Sequence, residues 1–258
     1  MFPMEKIPDI HELWTAPFAL SFEDLVLVTK CLTQDEQDKL LKLKKLYVSE
    51  EALNRKNSQE FYHTHGVLSA EVIMFTMKEN KLYDNLDCFF LTAAALLHDF
   101  NGFVSKDKKF AEAIDLLESK GLVALLGKPA LDKIENLLQY TSYDVTKPIN
   151  WGNSLLEGDQ SEVMIADNVP LEGLLVSYGD IIGQLCSPNY LERAKELLKV
   201  LDISDTDFIP LKLLVLADKI VIALKDKVKF KIPAEIKNSL LLNTTKVRNR
   251  YNYSFSFE

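Results

Sequence analysis

The chain has 258 residues, 47% hydrophobic and 26% charged, the balance of a globular protein with a sizeable core. Its 30 Lys and Arg against 38 Asp and Glu leave a formal charge of −8. With no basic excess to release counterions, general binding to a nucleic-acid backbone or duplex is excluded. Three cysteines without CxxC spacing exclude a disulfide scaffold and a thiolate metal cluster.

The opening stretch MFPMEKIPDIHELW lacks the basic start and unbroken apolar core of a signal peptide, and its His11 reads as a surface residue. No later run approaches the roughly 18 to 20 apolar residues that span a bilayer. A cytoplasmic protein without a membrane partner is expected. SFEDLVLVTKCL and TQDEQDKLLKLKKLYV carry apolar residues at three- and four-residue spacing, and Thr33 caps the second before an acidic first turn. Residues 1–55 read as a helical extension packed on a main helical domain of 56–230. Its stripes leave open a contact with a second copy of the chain.

In the main domain, FYHTHGVLSAEVIMF reads as an amphipathic helix with two of the chain's four histidines, His63 and His65. LTAAALLHDFNGF is an almost wholly apolar run ending in His98 and Asp99. A carboxylate in such a run is costly unless it is neutralised, paired or bound to a cation. Residues 142–160 are rich in Pro, Gly, Asn and Asp and read as a long functional loop. In LEGLLVSYGDIIGQL, Asp180 is the only charge between Glu172 and Glu192, with Ser177, Gly183 and Gln184 on its helical stripe. After Ser187-Pro188, Asn189 is positioned to cap YLERAKELL. Glycine is scarce and no hairpin signal joins alternating runs, so the expected fold is all-α. Residues 231–258 read as a tail, with periodicity lost in NTTKVRNRYNYSFSFE.

Three helices thus each offer imidazole or carboxylate toward one interior, a nitrogen and oxygen set suited to a divalent ion. The succession YHTHGVL, LLHDF and a later helical Asp resembles the H…HD…D pattern of the HD-domain superfamily of metal-dependent phosphohydrolases. The spacing suits it, with 35 positions from His63 to His98 and 81 from Asp99 to Asp180. YGDIIGQLCSPNYLERAKELL is similar to the last-Asp helix of the subgroup that includes cyclic-nucleotide-phosphodiesterase-like proteins. The resemblance covers about residues 58 to 203 and implies an HD-like helical bundle.

By that resemblance His63, His98, Asp99 and Asp180 are the metal ligands. His63 is preferred to His65 because an apolar residue follows it at i+4. Asp218, within LKLLVLADKIVIAL, is the rival of Asp180. HDFNGFV has no HDxxH histidine, so one divalent ion is implied rather than two; Mn, Mg, Fe, Zn and Ni all remain open. The implied substrate is a small, nucleotide-like phosphate ester attacked by a metal-activated water. Asp99 would orient that water, and His65 or a loop residue would deliver the leaving-group proton. Lys106, Thr141, Asp144, Lys147 and Gln184 are the candidate substrate contacts. The alternative is an HD-fold ligand-binding or regulatory module that has lost turnover.

Overall fold

The computed structural model describes residues 18–54, 65–84, 86–98, 121–141, 169–187, 190 and 208–257. The described elements are helices joined by turns: α1 (Phe22–Val28), α2 (Gln34–Asn54), α3 (His65–Asn80), α4 (Cys88–Leu97), α5 (Leu122–Leu126), α6 (Lys128–Leu138), α7 (Leu171–Cys186), α8 (Phe208–Lys227) and α9 (Ala234–Tyr251). No strand occurs among the described residues, so the all-α expectation holds. None of the helices is long and apolar enough to cross a membrane.

Helix starts follow their local chemistry. Ser21 and Asp24 form a capping box on α1. Thr33 and Glu36 form another on α2, with Glu36 Oε2 accepting from the Thr33 backbone at 2.8 Å. Asp87 caps α4 by accepting from the Phe90 N–H at 3.3 Å.

Around α3 the other helices assemble. It packs on α7 and α4, α1 leans on its outer side, and α8 and α9 close over α7. Every residue from His65 to Met77 is buried, so α3 is the enclosed core helix rather than the amphipathic one its pattern suggests. Glycines set how close its neighbours come. A Cβ on Gly66 would strike the Leu96 carbonyl oxygen and lie 2.9 Å from Tyr47 Cζ. One on Gly183 would lie 2.7 Å from Ser69 Oγ and 2.9 Å from the Ser69 nitrogen.

The C-terminal region differs from its reading as a tail. Residues 243–251 continue α9, and Asn252 ends it with a left-handed φ of 49° while Tyr253 N–H donates back to the Arg248 carbonyl. Asn243 donates to the Cys186 and Ser187 carbonyls at 2.7 and 3.0 Å, which ties α9 to the end of α7. Its polar spacing, which looked like lost periodicity, serves that bond.

Glu71 lies within α3, fully buried, and neither carboxylate oxygen completes a hydrogen bond. Burial pushes its carboxyl up to about 8. Lys44, already paired with Glu23 at 2.6 Å, and a poorly placed Phe22 N–H pull it down only in part, while Glu23 adds to the rise.

Two outcomes follow from this packing. Gly183→Ala forces α3 and α7 apart and costs about 1–3 kcal/mol, a fall of about 2–10 °C in a thermal melt. An unchanged melting temperature would refute the close approach. Second, the folded state holds the Glu71 proton to about pH 8 and the unfolded chain only to about 4.5. Stability therefore declines as pH rises between those values, by up to about 1.4 kcal/mol per pH unit from this group. Glu71→Gln cannot ionise, so in urea unfolding the wild type loses more stability than the variant between pH 5 and pH 8. Equal losses would remove Glu71 as the cause.

Candidate metal centre

Close approach at the glycines brings three side chains to one point. Gly66 lets α3 lie against the end of α4 where His98 stands as C-cap. Gly183, one turn after Asp180, seats on Ser69, one turn after His65. His65 Nε2 lies 2.8 Å from Asp180 Oδ1, His98 Nε2 lies 3.1 Å from the same oxygen, and the two Nε2 atoms are 2.9 Å apart. All three residues are buried, and the imidazole rings meet edge to face at 84°.

The hydrogen bonds settle what these atoms offer. His98 Nδ1 lies 2.7 Å from the Ala95 carbonyl, which can only accept, so Nδ1 carries a proton. With a cation in place of the Nε2 proton, the ring would present an Nε2 lone pair inward, the tautomer a metal-ligating histidine needs. Burial alone would raise the Asp180 carboxyl. The field of His98 and the hydrogen bonds from His65 and His98 outweigh it and hold the carboxyl well below the usual carboxylate range. Gln184, one turn on, donates Nε2–H to Asp180 Oδ1 at 3.1 Å and lies 3.3 Å from His65 Nε2.

This donor set fits a divalent ion. Neighbouring donors on a six-coordinate ion with bonds of about 2.1 Å stand about 3.0 Å apart, and the three observed spacings bracket that value. Two imidazole nitrogens favour a transition ion over Ca²⁺ or Mg²⁺. The buried His65, His98 and Asp180 form a group able to hold such an ion.

Set against the sequence, His98, Asp180 and Gln184 come together as their stripes suggested. The histidine brought to them is His65, the residue ranked second as ligand; His63 and Asp99 lie outside the described residues, as do His11, Lys106, Asp144 and Lys147. Thr141 is buried against α7, but its hydroxyl donates to its own Leu138 carbonyl at 2.8 Å. Asp218, the rival acid, binds the chain end: it accepts from Ser256 N–H at 2.9 Å, Ser256 Oγ at 2.7 Å and Tyr253 OH at 3.4 Å. The Ser256 and Tyr253 partners were legible only as polar residues alternating with aromatics.

A cavity of about 320 Å³ opens elsewhere, between Asp87, Phe90, Lys133, Tyr140 and Glu172. Its lining takes in Asp87, Phe90 and Leu91 from the start of α4 and none of the three donors. Comparison of the chain with protein-family models, with curated proteins and with solved structures finds no match.

Asp218→Ala removes three acceptor contacts from residues 253–256 while leaving the donor cluster intact. Hydrogen exchange at the Ser256 amide then speeds by roughly tenfold or more, with metal uptake unchanged. Loss of metal uptake would return Asp218 to the site.

Proposed function

We propose that the chain is a metal-dependent phosphohydrolase acting on a small, nucleotide-like phosphate ester. The convergence of His65, His98 and Asp180 on one buried point carries the reading. The resemblance of YHTHGVL, LLHDF and the Asp180 helix to the HD-domain superfamily supplies the reaction class. In this reading His65, His98 and Asp180 hold one divalent ion, with Asp99, the residue after His98, as a further ligand.

When bound, the ion supplies Lewis-acid polarisation of a phosphoryl oxygen and acidifies water toward neutrality. The chain does the rest. Ala95 holds the His98 Nδ1 proton, so Nε2 is the ring nitrogen left to face the ion. Asp180 stays ionised and offsets part of the cation's charge. Enclosure among α3, α4 and α7 keeps bulk water from competing for these groups. With His65 in the donor set, delivery of a proton to the leaving oxygen passes to His63, so the two histidines exchange the roles first expected of them. Lys106, Asp144 and Lys147 remain the candidates to meet the phosphate.

Purified protein is tested on a diester reporter, cyclic nucleotides and nucleoside mono- and triphosphates, each with Mn²⁺, Mg²⁺ or chelator. Metal-dependent turnover is expected, falling at least about 100-fold in a folded Asp180→Ala variant. A folded, metal-loaded wild type that turns over none of the panel would favour the ligand-binding module instead.

A further inference from the structure

The amide of Gln184 stands where a fourth donor belongs. Its Nε2 lies 3.1 Å from Asp180 Oδ1 and 3.3 Å from His65 Nε2, beside the 2.8 to 3.1 Å that those atoms keep with each other and with His98. The four positions therefore form two triangles that share the His65–Asp180 edge. Two triangles sharing an edge can be laid on four of the six vertices of a coordination octahedron, with His98 and Gln184 at opposite vertices and edges near the 3.0 Å that ligand bonds of about 2.1 Å require.

Nitrogen and oxygen of a glutamine amide occupy nearly equivalent places, exchanged by a half-turn about the Cγ–Cδ bond. With nitrogen inward, the NH₂ donates to Asp180 and satisfies the carboxylate while it has no cation. With oxygen inward, the same place holds a carbonyl lone pair. We propose that Gln184 is a protein ligand of the divalent ion, its amide turning from donor to Asp180 into oxygen ligand as the ion enters. The proposal rests on the metal-binding reading above but is independent of the reaction.

An alternative role, in which Gln184 only steadies Asp180 through its N–H, predicts the opposite response to one substitution. Glu at this position supplies an anionic oxygen ligand but no N–H, and it sets a second carboxylate against Asp180. A ligand role therefore makes Gln184→Glu bind more tightly, whereas a donor role makes it bind more weakly.

The experiment is calorimetric titration of the metal-stripped full chain with Mn²⁺ alone, with folding of each variant checked by circular dichroism. The variants are Gln184→Glu, Gln184→Leu and Asp180→Asn. Expected is one site in the wild type, lost in Asp180→Asn, weakened about 10- to 100-fold in Gln184→Leu, and equal to or tighter than wild type in Gln184→Glu. Wild-type affinity in Gln184→Leu, or weakening in both Gln184 variants, would overturn the ligand role while leaving the site itself standing. Absence of binding in the wild type would overturn the metal reading and this proposal together.

Discussion

Everything at this site depends on how closely α3 can lie against α4 and α7. Ordinary helix pairs are held 8–10 Å apart by their side chains. Here Gly66 leaves no side chain between α3 and the Leu96 carbonyl, and Gly183 rests directly on the Ser69 backbone. Only with both contacts made do His65, His98 and Asp180 reach within 3.1 Å of one another. The cost of this geometry is crowding of lone pairs. With the His98 Nδ1 proton committed to Ala95, the two Nε2 atoms and the carboxylate are left to share what protons remain among three close contacts. Such a cluster could hold a cation.

Two buried carboxylates in the same core show what decides their state. Glu71 and Asp180 are both removed from water, and burial pushes both toward the neutral acid. Glu71 has a cation whose charge is already spent on Glu23, and it remains protonated well above the ordinary range. Asp180 has two imidazoles and an amide within hydrogen-bond distance and is held as the anion. Desolvation sets the default, and the partners in reach reverse it or fail to. Asp180 is therefore an anion that could serve a cation, whereas Glu71 is kept as the neutral acid.

Much of this was legible in the chain. The apolar run ending at His98 and the lone Asp180 in an apolar helix drew attention because charge there needs an explanation, and the small residues beside them marked where helices could meet. What periodicity could not give was facing. FYHTHGVLSAEVIMF read as amphipathic, because a pattern records residue type and not the partner helix that covers it. His63 and His65 differ by two positions, about 200° around a helix, so choosing between them needs the direction of α4 and α7. Asp218 sits in an Ala-Asp context that made it the rival of Asp180, though the match around Asp180 is longer. Its role was set by Ser256 and Tyr253, contacts some 35 to 38 residues away that no local pattern encodes.

The placement of the donors also divides labour among the helices. Asp180 stands in the middle of α7, whose backbone is held by its own ladder and clamped at its end by Asn243. His98 stands at the end of α4, where the helical ladder stops and its ring is steadied instead by a bond to Ala95. The carboxylate is thus placed by the interior of a helix and the His98 imidazole by its bond to Ala95. A ligand bound across both would tie the end of α4 to the rigid α3–α7 pair, and its binding energy would be added to the stability of that junction.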